Sequence, residues 1–355
     1  MIRVGVIGTG GMANHHAQVA AAIRGMKLTA CCDISRERVD AFAAKWEIPA
    51  AYADYTEMLE KEKLDAVVNV TSDDVHCEVA LAVLKRGLHL LSEKPLASNL
   101  KDARKMKAAA GKAGVVNMVN FSYRNSSGLQ RAAKVIAAGK IGRIIHVESS
   151  YLQSWLAGAR WDKVHKSTGT LWRLSTRHGS AGVLGDLGCH IYDLTTLLAG
   201  DIDKIQSKLK TFDKGVPGNR IGEYVLDAND SFISQVTFKN GAIGTIHSSR
   251  WATGHGNSLR ARIYGDKGAI EVDLDDGYEH YKICSGKDMR TNTWQKVECK
   301  PTPNMWKRFV RAIKAADKTG LPAHQSDFAN GCKIQAYLHY SIESDKKGQA
   351  VTVRF

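Results

Sequence analysis

Short apolar runs alternate with amphipathic stretches from Ile2 to Asn120. Ile2 to Ile7 is apolar and ends in glycines, Asn14 to Ile23 is Ala-rich with helical spacing, and Lys27 to Asp33 is apolar again. Ser35 to Lys45 predicts a helix, Ala66 to Val70 a strand and His76 to Arg86 a helix. Leu88 to Ser92 predicts a strand, Leu100 to Ala113 a helix and Val115 to Asn120 a strand. Apolar runs without polar alternation suit strands buried on both faces. With helices between them, the pattern predicts βαβ units and a parallel sheet.

After Phe121 the rhythm changes. A helix over Gly128 to Ala138 leads into an extended stretch from Arg143 to Tyr151. Asp230 to Lys239 and Ala242 to Arg250 flank Asn240-Gly241, which predicts a two-residue hairpin. Arg260 to Tyr264 and Ala269 to Leu274 flank another glycine-bounded turn, so this half reads as an antiparallel or mixed sheet. Met305 to Ala316 and Asp327 to Asp345 return to helix, and no internal repeat or low-complexity linker interrupts the chain. The expected division is an α/β domain over 1–121 and an α+β domain over 122–355.

Composition narrows the class. A chain of 355 residues, 44% hydrophobic, is too long for one ordinary core. No apolar run approaches the ~20 residues of a membrane helix. The opening MIRVGVIGTGG lacks a signal-peptide pattern, so a soluble, cytoplasmic protein with no membrane partner is expected. The seven cysteines are odd in number and include no C-x-x-C, which fits reduced thiols. The net charge of +14 is uneven: residues 1–120 hold 16 Lys+Arg against 14 Asp+Glu, and the remainder 34 against 22. The bases are scattered singly and no nucleic-acid motif accompanies them, so a solvated basic surface is expected and no nucleic-acid partner.

Gly8-Thr9-Gly10-Gly11-Met12-Ala13 fits G-x-G-x-x-G/A between a strand and a helix. Gly8 permits the tight turn, Gly10 lets a pyrophosphate approach the backbone, and Ala13 allows close helix–strand packing. The helix N-terminus adds free N–H groups and a partial positive charge. Asp33 ends the next strand, 23 positions after Gly10, where a carboxylate can accept hydrogen bonds from ribose hydroxyls. Asp33 also stands where a helix cap would. The cofactor expected is NAD, preferred over NADP because Asp33 repels a 2′-phosphate, with Arg36 and Arg38 near enough to soften that preference.

Two further motifs carry chemistry. Glu93-Lys94-Pro95 ends a predicted strand, on the side of an open α/β sheet where ligands bind. Proline disfavours a helical Lys94 and holds the lysine extended. Taken alone, the tripeptide reads as an ordinary turn with a solvated lysine. Asp186-Leu187-Gly188-Cys189-His190-Ile191-Tyr192-Asp193 places Asp186 and His190 at i and i+4, with Asp193 three positions further. A carboxylate and an imidazole on one helix face suit proton transfer. The same spacing admits zinc ligation or a capped helix with a hydrogen-bonded histidine, and these residues alone leave the three readings open.

Together these motifs resemble the Gfo/Idh/MocA family, named after glucose–fructose oxidoreductase and inositol dehydrogenase. The resemblance runs from the glycine motif through Thr71-Ser72 and His76, Glu93-Lys94-Pro95, and Asn120-Phe121-Ser122-Tyr123-Arg124. It continues through Lys140-Ile141-Gly142, Trp172-Arg173 and Asp186 to Asp193, and closes on Asn330-Gly331 to Gly348. It implies a Rossmann domain followed by an α+β domain with a large open, mostly antiparallel sheet. It further implies an NAD(P)-dependent dehydrogenase acting on a secondary hydroxyl of a sugar, cyclitol or related polyol, with no metal. Lys94, Asp186 and His190 match the family's catalytic groups. Gly8, Thr9, Gly10, Gly11, Met12, Asp33, Thr71, Ser72, His76, Glu93, Lys94, Asn120, Trp172 and Arg173 are the expected cofactor contacts. Lys94, Tyr123, Asp186, His190 and Asp193 are the expected substrate contacts. A homodimer or homotetramer through the second sheet is also implied, and Pro95 matches a proline that is often cis. Two departures stand out: Thr71-Ser72 replaces the frequent Thr-Pro, and Gly179-Ser180-Ala181-Gly182 replaces the frequent triple glycine. The segment from Trp155 to Arg177, with Trp155, Trp161 and Trp172, suits either sugar stacking or core packing. The alternatives are an NAD-dependent glycosidase working by oxidation and elimination on the same fold, and a non-catalytic dinucleotide or sugar sensor.

Overall fold

The computed structural model describes residues 1–166, 168–319 and 326–355. In chain order the first elements are β1 (Ile2–Ile7), α1 (Gly11–Ala21), β2 (Met26–Cys32), α2 (Arg36–Trp46), β3 (Ala50–Tyr52) and α3 (Tyr55–Lys61). Then come β4 (Ala66–Asn69), α4 (His76–Lys85), β5 (His89–Ser92), α5 (Leu100–Ala113) and β6 (Asn117–Val119). The middle of the chain holds α6 (Ser127–Ala137), β7 (Ile144–Leu152), α7 (Gly158–Val164), α8 (Thr168–Leu171) and α9 (Cys189–Ala199). Strands follow: β8 (Ile202–Lys210), β9 (Arg220–Ile221), β10 (Tyr224–Val225), β11 (Ser231–Phe238), β12 (Ile243–Ser249), β13 (Ser258–Gly265), β14 (Gly268–Asp273), β15 (His280–Ser285) and β16 (Gln295–Glu298). The chain ends with α10 (Met305–Thr319), α11 (Phe328–Lys347) and β17 (Val351–Thr352).

By packing, residues 1–122 and 303–335 form one unit, and 123–302 with 336–355 a second. The first is a parallel sheet of order β3-β2-β1-β4-β5-β6, the doubly wound Rossmann arrangement, whose strand order reverses between β1 and β4. Its helices start where the side chains permit: Ser35 accepts from the Arg38 N–H to cap α2, and Asn99 accepts from Asp102 to cap α5. The short β3 and α3 give no periodic signal and were not expected. Residues 303–335 depart from the expected division. Met305, Trp306, Phe309, Val310 and Ile313 of α10 lie on one helical face and pack with Ile2, Val4, Val68, Leu91 and Met118. That apolar stripe is buried on the first unit's sheet, and Ser326 exchanges hydrogen bonds with Val119 beside it.

The second unit holds a nine-stranded sheet of order β16-β15-β14-β13-β7-β12-β11-β8-β17. β7 and β12 are parallel and the other neighbours antiparallel. Along β11, Phe232, Ser234, Val236 and Phe238 are buried while Ile233 and Gln235 are exposed, the alternation of a sheet covered on one face. α6 and α9 pack on the covered face. The expected two-residue hairpin is a three-residue loop: Phe238 donates to the Ala242 carbonyl, and Gly241 takes φ 89°. Asn240 accounts for the difference, since its side chain accepts from the Ala242 N–H and donates to the Ala199 carbonyl. Between Trp155 and Arg177 short helical turns surround an apolar cluster of Leu156, Leu171, Leu174 and Leu226, against which Trp155 and Trp161 pack.

Candidate functional site

The first unit gathers its polar groups at the carboxyl ends of β1, β2, β4 and β5. Gly8 has φ +91°, and a Cβ there would stand 2.5 Å from the Val70 carbonyl oxygen, so the turn after β1 requires glycine. A Cβ on Gly10 or Gly11 would meet nothing within 4 Å, and no side chain caps the N-terminus of α1. Open space over bare backbone, facing uncapped N–H groups, fits a dinucleotide pyrophosphate. Asp33 closes the loop onto β2. Its Oδ2 accepts from the Thr9 N–H and hydroxyl at 2.9 Å each, and its Oδ1 from Ser35 N at 2.9 Å and Arg38 Nη2 at 2.7 Å. Burial pushes the Asp33 carboxyl up, but the hydrogen bonds from Ser35, Arg38 and Thr9 outweigh it and leave the group below the usual carboxylate value. The cap of α2 is Ser35 rather than Asp33, whose carboxylate accepts instead from the N–H of that cap residue. The Arg38 side chain that donates to Asp33 is 57% exposed. Met12 is exposed in the first turn of α1 and Ser72 on the loop after β4, and the Thr71 hydroxyl donates to Asn69 Oδ1.

Three expected cofactor contacts prove to be internal. His76 is fully buried, with ring nitrogens 2.9 Å from the Pro95 carbonyl and 3.1 Å from that of Thr71. Glu93 and Asn120 are also buried, and Asn120 Nδ2 donates to Glu93 Oε1 at 2.7 Å. These side chains are spent on fixing the strand ends, which explains why polar residues cluster there without facing outward. The sequence reading missed their partners His16 and Trp306, which no motif links. Lys94 stands between Glu93 and Pro95, and the Lys94–Pro95 bond is cis.

In the second unit, His190 is the second residue of α9. Asp186 lies before it in a π-helical turn, Leu184–Gly188, rather than on a continuous α-helical face. Its carboxylate accepts from Arg250 Nη2 at 2.9 Å. Arg250, one residue past β12, is fully buried, donates to the Arg173 carbonyl at 3.2 Å and lies over the Trp155 ring. Burial pulls its pKa below the ordinary guanidinium value against the opposing pull of Asp186. Arg250 was legible only as the charged end of an apolar strand. Trp172 is exposed, with the Arg173 guanidinium 4.5 Å from its ring centre.

Tyr123 packs edge-on against His190, ring centres 4.8 Å apart. Its hydroxyl belongs to a closed hydrogen-bond ring. Asn257 Nδ2 donates to Tyr123 at 2.8 Å, and the Tyr151 hydroxyl donates to Asn257 Oδ1 at 2.6 Å. The 2.6 Å Tyr123–Tyr151 contact then has Tyr123 as donor. Gln153 adds a donor to Asn257 Oδ1 at 2.8 Å. Burial pushes the Tyr151 phenol up, so it stays protonated. Asp193 departs from expectation. Both of its oxygens accept from Arg124, at 2.7 Å each, and the two side chains are 3% and 2% exposed. The pair ties the turn carrying Tyr123 to α9, a structural task in place of the expected substrate contact. Among the described residues, no three His, Cys, Asp or Glu side chains are grouped to hold a metal.

Comparison with known proteins agrees with this architecture. The oxidoreductase-family profile with an NAD-binding Rossmann fold matches residues 2–121, and the GFO/IDH/MocA C-terminal domain matches residues 129–271. Levoglucosan dehydrogenase of Pseudarthrobacter phenanthrenivorans is 27% identical over 290 residues, covering 76% of this chain and 73% of the relative. Myo-inositol 2-dehydrogenase of Thermotoga maritima is 27% identical over 278 residues, covering 77% and 75%. The solved structure of levoglucosan dehydrogenase in complex with NADH and levoglucosan shares the fold, with a TM-score of 0.86 at 23% identity over 99% of both chains. With both domain profiles matched in order over most of its length, the chain belongs to the Gfo/Idh/MocA family of oxidoreductases.

Proposed function

We propose that this oxidoreductase transfers a hydride between a nicotinamide dinucleotide and a secondary hydroxyl, or the corresponding ketone, of a sugar, cyclitol or related polyol. The observation that carries the reading is the bare Gly10-Gly11 backbone before an uncapped helix, with Asp33 at the end of the neighbouring strand. The related dehydrogenases named for levoglucosan and myo-inositol support the substrate class. Bound nicotinamide supplies the carbon that accepts or returns the hydride. The chain's own residues manage the proton and the charge. His190 takes the hydroxyl proton as the carbonyl forms, the task of a positioned imidazole general base. Lys94 supplies positive charge against the negative charge that develops on a substrate oxygen. Asp186, paired with Arg250, orients the polar groups before α9. Tyr123, its hydroxyl held by Asn257 and Tyr151, offers a ring face suited to a polyol.

NAD is the preferred form in this proposal, because the carboxylate of Asp33 repels a 2′-phosphate and Arg38 is already engaged with it. No described helix is long and apolar enough to cross a membrane, and all seven cysteines are free, in keeping with a reducing cytoplasm. Copies pair through the exposed face of the nine-stranded sheet. Ile233 and Ile243 are exposed there, on the face that also carries the Arg262–Glu148 pair. The test of the reaction is to follow nicotinamide reduction with NAD and NADP across sugars, anhydrosugars and inositols. Turnover of a neutral polyol is expected, with kcat/KM favouring NAD by about tenfold, or about 1.4 kcal/mol. An equal preference for NADP overturns the cofactor order. Glycoside cleavage without net cofactor reduction overturns the reaction.

A further inference from the structure

We propose that His16, Glu93 and Trp306 form a positioning relay for Lys94, through which α10 holds the lysine in its working geometry. The proposal rests on the catalytic reading of Lys94 given above. The Glu93 carboxylate is the hub. It is 6% exposed, and three N–H groups converge on it: His16 Nε2 at 2.6 Å and Asn120 Nδ2 at 2.7 Å on Oε1, and the Lys94 main-chain N–H at 3.1 Å on Oε2.

The hydrogens in this network have one consistent arrangement. The Trp306 indole N–H points at His16 Nδ1, 3.0 Å away, and an indole nitrogen can only donate. His16 Nδ1 therefore keeps its lone pair, so Nε2 carries the hydrogen that is donated to Glu93. The ring is neutral, in one tautomer, with its edge against Trp306. An ionised carboxylate is costly to bury unless its acceptor sites are filled. Here burial pushes Glu93 up, but the hydrogen bonds from His16 and Asn120 pull it below the usual carboxylate range, so it stays a carboxylate at neutral pH.

The far side of the lysine segment is held too. His76 Nδ1 lies 2.9 Å from the Pro95 carbonyl. The Lys94–Pro95 unit is thus gripped at its leading N–H by Glu93 and at its trailing carbonyl by His76. Trp306 makes the grip depend on residues more than two hundred positions away, because it sits in α10 within the apolar cluster that covers the sheet. A side chain that must meet a reacting oxygen tolerates little displacement, since an error of about 1 Å costs on the order of 10²-fold in rate.

The experiment uses the full chain and compares Trp306→Phe, Glu93→Gln and Lys94→Ala with the parent. It measures kcat, the KM of the polyol, NAD affinity by titration without turnover, thermal stability, and the 15N NMR signature of His16. Levoglucosan and myo-inositol are the probes. The parent His16 is expected as the neutral Nε2–H tautomer. Trp306→Phe keeps the ring but removes the donor. It is expected to lose that tautomer signature and to lower kcat about tenfold or more, with NAD affinity and polyol KM within about twofold. Glu93→Gln is expected to lower kcat likewise while His16 keeps its Nε2–H tautomer, because Trp306 still donates to Nδ1. If Glu93→Gln does not fold, Trp306→Phe still carries the test. Parental kcat in Trp306→Phe despite a changed His16 signature overturns the relay. So does a loss of kcat that disappears once the variant is assayed below its melting transition. If Lys94→Ala keeps full turnover, the catalytic reading falls, and the relay with it. If Lys94→Ala is inactive while the other two match the parent, only the relay falls.

Discussion

The groups assigned to the dinucleotide and the groups around His190 are assembled in opposite ways. In the first unit, Gly8 to Met12 follow β1, Asp33 follows β2, and Thr71 and Ser72 follow β4. Each lies within a few residues of a strand end, and much of the proposed recognition is backbone. In the second unit the neighbours of His190 come from separate segments: Tyr123 from a turn before α6, Tyr151 from β7, Arg250 after β12 and Asn257 before β13. There the proposed chemistry rests on side chains that the sheet brings together. Recognition by backbone can be written in a short motif, whereas recognition by side chains across a sheet is written in its register.

This contrast is most exposed to test at His190. His190→Ala is expected to lower kcat by ~10²–10⁴ and to leave NAD affinity at the parental level, because the glycine loop and Asp33 belong to the other unit. Parallel measurement of turnover and NAD titration decides it. Full turnover would mean that the second unit's aromatic and polar cluster is not where the proton is handled.

The second unit is also expected to depend on its buried ion pair. Asp193→Ala removes the carboxylate facing a guanidinium that is 2% exposed, and breaking such a pair from one side costs about 3–5 kcal/mol. Denaturant unfolding of the parent and the variant measures this. A change under about 0.5 kcal/mol together with a raised polyol KM would return Asp193 to the substrate-contacting role that its spacing suggested.

The smallest effect on fold and turnover is expected at the exposed sheet face. Ile233 is 59% exposed, so Ile233→Glu leaves the core of the second unit intact. It is expected to weaken pairing of copies, read by sedimentation equilibrium, with unfolding unchanged within about 0.5 kcal/mol. An unchanged oligomer would show that this face is not the interface and that its alternating charges are merely solvated.

The sequence by itself determined the kind of fold and the cofactor loop. Buried parallel strands demand uninterrupted apolar runs, and a backbone that must approach a pyrophosphate demands glycine, so both leave local marks from Ile2 to Asp33. It also placed Lys94 at a strand end and His190 on a helix. Tertiary structure alone decided what those residues' neighbours do. His76, Glu93 and Asn120 look like ligand contacts in one dimension, but are turned inward to satisfy one another and the strand ends. Asp193 is spent on Arg124, and Asp186 sits in a π turn facing Arg250 rather than one α-helical turn from His190. Residues 303–335 return to the first unit because the apolar stripe of α10 finds its complement on that sheet. The reason is common to all of these: periodicity records which face of an element is buried, but the partner that satisfies a buried polar group is set by packing between segments far apart in the chain.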